Sequence, residues 1–255
     1  MCSFTTLKEF LNQKYLQYNS PRFIVSDPIG VPHRYSTKED REIAGFLAAT
    51  IAWGQRKSIV QSALKLMTLM DDAPGDFIMN FKESDLKRFE GFVHRTFNYT
   101  DITVFVYALK NIYQIHGGME KVFADGIKSG GMDYGIAHFR NVFFEVPHEI
   151  RTRKHVSNPL SGSCTKRINM YLRWMVRKDD RGVDFGIWES IRPDQLICPL
   201  DVHSGRVARR LGLLKRKQDD WKAAVELTEN LRLLDPSDPV KYDFALFGLG
   251  VFEKF

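Results

Sequence analysis

The sequence predicts an all-α protein with about a dozen helices. Two observations predict this class: most segments place apolar residues at helical spacing, and convincing alternating strand patterns are scarce. The apolar fraction of 44% is ordinary for a globular protein, and 255 residues are enough to bury a sizeable core. The 19 phenylalanines predict a well-filled interior.

The first half of the chain carries successive helix signals. Leu7–Tyr18 is amphipathic, whereas Pro21–His33, with three prolines, predicts a loop. Ser36 and Glu39 match a capping box, in which both side chains bind free amides at a helix start. The helix that they would open covers Asp40–Trp53. Further helices are predicted over Arg56–Met70, Pro74–Met79, Ser84–Phe89 and from a Thr100 cap to Gly117.

The second half continues the helical pattern, with two interruptions. Val146–Ser163 predicts a loop, and Lys178–Leu200 is charged and broken, with one or two helical turns. Gly91–Tyr99 is the one earlier segment that could be extended. Helices are predicted over Gly118–Gly126, Tyr134–Phe144, Thr165–Val176, Val202–Leu211, Asp219–Leu233 and Pro239–Phe247.

Cysteine content and hydropathy exclude several classes of protein. Cys2, Cys164 and Cys198 are far apart and form no C-x-x-C pair, which argues against a zinc ribbon or a cysteine-ligated iron–sulfur cluster. Free thiols fit a reducing cytosol. Residues 1–10 lack the features of a signal peptide, and no run of 18 apolar residues predicts a membrane span.

Positive charge is concentrated in one segment. Residues 150–217 contain 16 lysine and arginine residues against six aspartate and glutamate residues, a net charge of +10, whereas the whole chain carries +6. This asymmetry predicts a polyanionic partner such as a nucleic acid, the alternative being a solvated basic face.

The strongest motif is a glycine turn that delivers a lysine to a helix start. Gly162 and Ser163 lie just before Lys166 and Arg167. Glycine allows a tight turn close to a phosphate. Positive charge is disfavoured at a helix N-terminus, which favours a nucleophilic amine suited to Schiff-base chemistry. The alternative is that Lys166 only contacts phosphate or solvent.

An aspartate opens a second helix 35 residues later. Asp201 follows Pro199 and is well suited to cap the helix. The same carboxylate could stabilise an oxocarbenium-like sugar, as in glycoside hydrolysis. His203 fits a packing or supporting role better than that of an acid or base. Arg206 and Arg209 share one helix face and are predicted to contact the nucleic-acid backbone.

A third motif ends the apolar helix at Trp53. Its turn presents Gln55, which could fill the space left by an extruded base, and Arg56 follows. Trp53 and Trp174 could stack on a flipped base. The alternatives are that Gln55 is an ordinary polar loop residue and that both tryptophans belong to the core.

Together these residues resemble the helix-hairpin-helix DNA glycosylase superfamily, which includes endonuclease III and the 8-oxoguanine glycosylases. The superfamily's Gly-Val-Gly-x-Lys signature aligns Gly162 with the first glycine and Lys166 with the catalytic lysine, whereas Cys164 replaces the second glycine. Leu200-Asp201-Val202-His203 resembles the strip that carries the catalytic aspartate. The long lysine-to-aspartate spacing and residues 166–171 are nearest to the archaeal 8-oxoguanine glycosylases.

A closer resemblance, to an uncharacterised and mainly bacterial family, rests on Leu-Arg-Trp-Met at 172–175 and Asp-Pro-Val-Lys-Tyr-Asp-Phe-Ala-Leu-Phe at 238–247.

The resemblance to the glycosylase superfamily implies two interleaved helical lobes with a central cleft. One lobe would span residues 36–165, and the other would join 1–35 to 166–255.

The resemblance also implies a base-excision glycosylase with lyase activity. On damaged duplex DNA, Lys166 would form the Schiff base and Asp201 would stabilise the sugar cation. An oxidised purine is one candidate for the base that is removed. No cofactor, metal or membrane would be needed, and the location would be cytoplasmic, at the nucleoid. The alternatives are a non-catalytic nucleic-acid-binding protein on this scaffold, or an RNA-processing factor. The implied DNA contacts are Gln55, Arg56, Gly162, Ser163, Arg167, His203, Arg206 and Arg209.

Overall fold

The computed structural model describes residues 4–255, with side chains from residue 6 onward; Cys2 lies outside the described residues. It is predominantly helical, which confirms the predicted all-α class. The α-helices are α1 (Phe4–Tyr18), α2 (Pro21–Ile24), α3 (Lys38–Thr50), α4 (Arg56–Leu69), α5 (Pro74–Asn80), α6 (Tyr99–Ile115), α7 (Met119–Ile127), α8 (Met132–Phe143), α9 (Lys166–Val176), α10 (Val202–Arg210), α11 (Trp221–Leu234) and α12 (Asp243–Val251).

Short 3-10 helices and one small hairpin complete the secondary structure. The 3-10 segments are Pro28–Gly30, Pro32–Arg34, Glu83–Phe89, Ile150–His155, Pro159–Ser161, Pro193–Gln195 and Pro239–Tyr242. Strands β1 (Val93–His94) and β2 (Phe97–Asn98) pair antiparallel, with His94 opposite Phe97. Within Gly91–Tyr99, the segment that could be extended, these four residues are in strands, whereas Tyr99 is already the first residue of α6.

Two helices begin at caps other than the predicted ones. Thr37, and not Ser36, caps α3, because its hydroxyl accepts from the backbone N–H of Asp40 at 3.2 Å. Asn98, and not Thr100, caps α6, in a capping box with Asp101. In both places a second Ser, Thr or Asn lies within two residues of the predicted cap, so the sequence pattern alone fits either position.

The chain divides into two compact units. The terminal unit joins the N-terminal segment through Phe23 to Pro159–Phe255, and the central unit is Ile24–Asn158. The boundaries predicted from the sequence lie at residues 36 and 165. Residues 28–34 pack on α3, which places them with the central unit. Gly162 accepts a backbone hydrogen bond from Trp221 at 3.0 Å, which places the glycine turn with the terminal unit.

Each unit has its own apolar core. In the central unit, Phe46 packs edge-on against Phe139, and Phe139 stacks on Phe123 with ring centroids 4.2 Å apart. In the terminal unit, α12 packs against both α1 and α10. The core residues of the terminal unit include Tyr171, Trp174, Leu227, Leu231, Leu246 and Leu249, all fully buried. Burial of these side chains is the main stabilising contribution in both units.

Candidate active site

The glycine turn before α9 has the backbone that its sequence predicts. Gly162 adopts φ +88°, and an added Cβ would meet nothing within 4 Å, so glycine is favoured here by conformation and not by crowding. Its N–H donates to the carbonyl of Pro159 at 2.8 Å. Ser163 pairs with Asp220, just before α11. The turn is therefore anchored to the start of a neighbouring helix.

Thr165 caps α9 in a left-handed conformation. Its φ and ψ are 44° and 36°, which is unfavourable for a β-branched residue by about 1–2 kcal/mol. The side chain is buried, and its hydroxyl has no hydrogen-bond partner. Lys166 follows as the first helical residue. Backbone strain is thus stored beside the candidate nucleophile, as is common at functional sites.

Asp201 performs the capping role that its position predicts. Its Oδ1 accepts from the backbone N–H groups of His203 and Ser204, each at 2.9 Å. In return, the backbone N–H of Asp201 donates to Ser204 Oγ at 2.9 Å. These bonds satisfy free amides at the start of α10 and hold the carboxylate in one orientation.

The other oxygen of the same carboxylate faces the candidate nucleophile. Lys166 Nζ lies 3.8 Å from Asp201 Oδ2, and the two side chains are 26% and 24% exposed. Amine and carboxylate therefore meet at the start of two helices in the terminal unit, where both remain accessible to solvent. A capping carboxylate can serve a second purpose here because its two oxygens have different partners.

Cys164 lies between the Gly162 turn and Lys166, and its thiol is partly buried. Its thiol points to the carbonyl of Leu200, with Sγ 3.7 Å from the oxygen, directly before Asp201. Its own carbonyl accepts from the Asn169 side chain at 3.1 Å. Burial raises the pKa of this thiol. Cys164 thus connects the lysine turn to the aspartate segment, a role that glycine could not fill.

The predicted basic contacts have internal partners in this structure. Arg206 donates to the carbonyls of Gly250 and Phe255, at 3.0 and 3.2 Å. Arg209 donates to the Arg216 carbonyl at 2.8 Å and pairs with Asp219 at 2.6 Å. Both arginines therefore stabilise the terminal unit, because these guanidinium N–H groups bond to other residues of that unit. Burial lowers the pKa of the Arg167 guanidinium to about 10.

Part of the basic segment neutralises buried acids instead of forming a surface. Arg173 and Arg177 are buried, and Arg177 contacts Asp184, Asp179 and Asp238 at 2.6–3.1 Å. Burial lowers the pKa of Arg177, but these carboxylates outweigh burial and leave it above its ordinary value. The net charge of +10 in residues 150–217 therefore overstates the positive charge available to a partner. Sequence spacing gives no sign of this, because Asp238 is distant along the chain.

The third motif belongs to the central unit. Gln55 is exposed and precedes α4, and its side chain makes no capping hydrogen bond. Gly54 has φ +109°, and an added Cβ would lie 3.1 Å from the Arg95 guanidinium. Arg95 is at the β1–β2 turn with φ +55°. The hairpin tip thus lies beside the Gln55 turn, with Arg56 at the start of α4, an arrangement that sequence analysis missed.

The two tryptophans predicted to stack on a base have different environments. Trp174 is fully buried within α9, so it belongs to the core and offers no open stacking surface. Trp53 is partly exposed; it stacks on His155 and meets His94 edge-on, with centroids 5.7 and 5.4 Å away. The prediction that Trp174 stacks on a base is wrong, because this residue lies on the apolar face of α9, where a large ring stabilises the fold most when it is buried.

A buried acid organises the surroundings of Trp53. Asp101 is fully buried; His155 lies 3.3 Å and Arg151 3.0 Å from its Oδ2, and the Thr152 hydroxyl donates to Oδ1 at 2.8 Å. Burial opposes ionisation of Asp101, but bonds from His155, Thr152 and the Asn98 amide lower its pKa to about 2. The network fixes residues 150–155 against the start of α6.

The described residues contain neither a membrane-spanning helix nor a cluster of metal-ligating side chains. Among residues 4–255, the helices all lack the combination of length and apolar composition that a bilayer-spanning segment needs. Within the same range, no three His, Cys, Asp or Glu side chains are grouped as a metal site.

Comparison with known proteins places the chain in a family. The model of a family described as "Protein of unknown function (DUF2400)" matches residues 27–252, most of the chain. The chain belongs to the DUF2400 family. This agrees with the resemblance to an uncharacterised family seen at 172–175 and 238–247. No curated protein and no solved structure matches the chain. The matched range of this DUF2400 protein includes both Lys166 and Asp201.

Proposed function

We propose that this protein is a DNA glycosylase with lyase activity on a helix-hairpin-helix scaffold. The observation that carries the proposal is the distance of 3.8 Å between Lys166 Nζ and Asp201 Oδ2, with both groups partly exposed. Gly162 supports it, because its left-handed backbone forms the turn that the glycosylase signature requires. The resemblance suggests which reaction is catalysed. The short distance suggests that the amine and the carboxylate could act on the same substrate atom.

The proposed reaction begins with Lys166 as the neutral amine. Its nitrogen lone pair forms a bond to C1′ of the damaged nucleotide, the C1′–N bond to the base breaks, and the base leaves with that electron pair and takes up a proton. Asp201 stabilises the positive charge that develops on the sugar. The attached nitrogen loses a proton to solvent, its lone pair then forms the C1′=N bond of the Schiff base, and the C1′–O4′ bond breaks as O4′ takes up a proton. Loss of a C2′ proton then forms the C2′=C3′ bond and breaks the C3′–O bond, so that the 3′ phosphate leaves with that electron pair.

The capping bonds of Asp201 prepare it for this role. Two backbone amides hold Oδ1, so Oδ2 remains directed at Lys166 without reorganisation during the reaction. A charge that is already held in place stabilises developing positive charge without a cost of reorganisation during the reaction. The internal bonds of Arg206 and Arg209 would position α10, and other exposed lysines and arginines would contact phosphate.

Borohydride trapping on intact lesions tests the proposal. Duplexes carrying 8-oxoguanine, other oxidised bases or uracil are incubated with protein and sodium borohydride, and covalent adducts are resolved by gel and mapped by mass spectrometry. Intact lesions are essential, because a preformed abasic site can trap surface amines without base release. The wild type should form an adduct at Lys166. Lys166→Gln should form none while it retains DNA binding.

The matched control is Lys217→Gln, which removes an exposed lysine from the same basic segment. This variant should still form the adduct. An adduct that persists in Lys166→Gln would remove Lys166 from the mechanism. Binding by the wild type without base release on any lesion would favour the non-catalytic alternative, and preference for single-stranded RNA over lesion duplex would favour the RNA-processing alternative.

A further inference from the structure

An arginine occupies a strained position at the tip of the hairpin in the central unit. Arg95 and Thr96 form the two-residue turn between β1 and β2. Arg95 has φ +55°, a left-handed conformation for which such turns favour glycine, asparagine or aspartate. Strain of this kind persists where the surrounding structure holds a residue in place, and it is concentrated at functional sites. The conformation of Arg95 therefore indicates a role other than stabilising the turn.

Side chains from neighbouring segments fix the hairpin in place. The buried His94 ring lies with Nδ1 2.9 Å from Ser62 Oγ, and its Nε2 donates to the carbonyl of Trp53 at 3.2 Å. On the other side, the carbonyl of Thr96 accepts from the Arg151 guanidinium at 2.9 Å. The backbone at the tip is thus held from both sides, so the side chain there extends from a fixed base.

The Arg95 side chain is exposed and has no partner within the described chain. Among residues 6–255, its guanidinium forms neither a hydrogen bond nor an ion pair. It lies against the Gly54 turn, where an added Cβ would be 3.1 Å from Nη1 and 3.4 Å from Cδ. Arg151 beside the same hairpin differs, because it pairs with Asp101 at 3.0 Å. The fold therefore positions the charge of Arg95 without neutralising it.

The residues that follow Gly54 extend the positive charge. Exposed Gln55 precedes Arg56 and Lys57, which are the first two residues of α4, and the first turn of this helix has no acidic residue. Several positive charges without carboxylates complement the repeated charges of a phosphodiester backbone better than a single carboxylate. A guanidinium can also bind two oxygens of one phosphate.

We propose that Arg95, together with Gln55 and Arg56, forms a phosphodiester-binding surface, and that Arg95 directly contacts one backbone phosphate of a nucleic acid. Duplex DNA and single-stranded RNA both supply this group. The surface belongs to the central unit, whereas Lys166 and Asp201 belong to the terminal unit. The inference concerns binding, so it does not depend on the release of a base.

The first test measures affinity for duplex DNA and for single-stranded RNA at several salt concentrations. Arg95→Gln should bind roughly tenfold more weakly, because a hydrogen bond between charged groups is lost. The slope of log affinity against log salt concentration should become shallower by about 0.9 on duplex DNA or about 0.7 on a single strand. Arg95→Lys should retain the wild-type slope, because it keeps the charge.

The matched control is Arg88→Gln. It also removes an exposed arginine from the central unit, but Arg88 pairs with Asp71 at 2.5 Å, so its charge is already neutralised within the chain. This variant should change neither the affinity nor the slope. The comparison separates an available positive charge from the overall net charge.

The second test identifies the phosphate that is contacted. A series of duplexes, or of RNA strands if RNA is bound, carries one neutral methylphosphonate at successive positions. Substitution at the contacted phosphate should weaken binding by the wild type but should weaken binding by Arg95→Gln no further, because the partner is already lost. A purely structural role would leave the pattern of sensitive phosphates unchanged.

Arg95→Asn keeps the proposal testable if Arg95→Gln does not fold, because asparagine adopts a left-handed backbone more readily. Its midpoint of urea unfolding should equal or exceed that of the wild type, while its affinity falls. Wild-type salt slopes in both variants, on both nucleic acids, would overturn the proposal, and so would an unchanged pattern of sensitive phosphates. An effect confined to RNA would support the surface and identify RNA as the source of the phosphate.

These outcomes are separable from borohydride trapping at Lys166. A phosphate contact that is lost in Arg95→Gln, without any adduct from the wild type, would retain the surface and reject the glycosylase. An adduct from the wild type, with an unchanged salt slope in Arg95→Gln, would do the reverse.

Discussion

Replacement of Asp201 by asparagine and by alanine separates capping from chemistry at the candidate site. Asparagine keeps an oxygen that can accept from the amides of His203 and Ser204, whereas alanine loses both bonds. Both variants lose the negative charge facing Lys166. The difference in stability between the two variants therefore isolates the cap, and the loss of rate that they share relative to the wild type isolates the charge.

The structure sets the expected magnitudes. Loss of the cap costs about 1 kcal/mol of the free energy of unfolding. Loss of the charge costs less than about 1 kcal/mol, because the pair with Lys166 is partly exposed and 3.8 Å long. Asp201→Ala should therefore be about 1 kcal/mol less stable than Asp201→Asn. Both variants should release the base roughly 10²–10³-fold more slowly, since neither supplies a fixed negative charge.

Urea unfolding gives the stabilities, and single-turnover base release with excess enzyme gives the rates. Thr37→Ala is the control, because it removes an N-cap from α3 in the central unit and should lower stability by about 1 kcal/mol with an unchanged rate. Base release by Asp201→Asn at the wild-type rate would refute the catalytic assignment and leave Asp201 as a helix cap alone.

Two other predictions concern stability and DNA affinity. The pKa of Asp101 falls from 3.8 to about 2 on folding, so its ionisation stabilises the fold above about pH 4, and this contribution disappears as the pH falls through about 2. In urea unfolding, Asp101→Asn should lower the free energy of unfolding by ~2 kcal/mol at pH 7 and by little near pH 2. Asp125→Asn is the control, because Asp125 forms a solvated pair with Lys121, and it should lower the free energy of unfolding much less. Equal losses in the two variants would contradict the role of burial. Joint replacement of Arg206 and Arg209 by glutamine should lower the free energy of unfolding and also DNA affinity, because α10 loses the bonds that hold it in place. The slope of log affinity against log salt concentration should change by less than about one. A change near two would show that both arginines contact phosphate directly.

Much of the helical architecture could be predicted because its signals are local. Apolar spacing and glycine stops indicated the helices, and the bounds found for α4 and α9 differ from the predicted ones by a single residue at one end. Cap assignment was less secure: Thr37 and Asn98 replaced the predicted Ser36 and Thr100, because neighbouring polar residues fit the same pattern. The Gly162 turn was also a local property, since its φ of +88° suits glycine.

The environment of individual side chains could not be predicted in the same way. Trp174 matched a base-stacking role as well as a core role until the packing of α9 showed it to be buried. Arg173 and Arg177 counted toward a basic surface until their aspartate partners were located. Two of these partners, Asp243 and Asp238, lie 70 and 61 residues away in sequence, so no local pattern contains them.

The sequence by itself determined the all-α class, the left-handed glycine before Lys166 and the capping aspartate at 201, because each depends on the preferences of adjacent residues. Only the tertiary structure decided that Lys166 Nζ and Asp201 Oδ2 lie 3.8 Å apart, and that Arg173 and Asp243 form a buried ion pair. The 34 residues between lysine and aspartate can follow many paths. The packing of α9, α10 and α12 selects the one in which their charges interact.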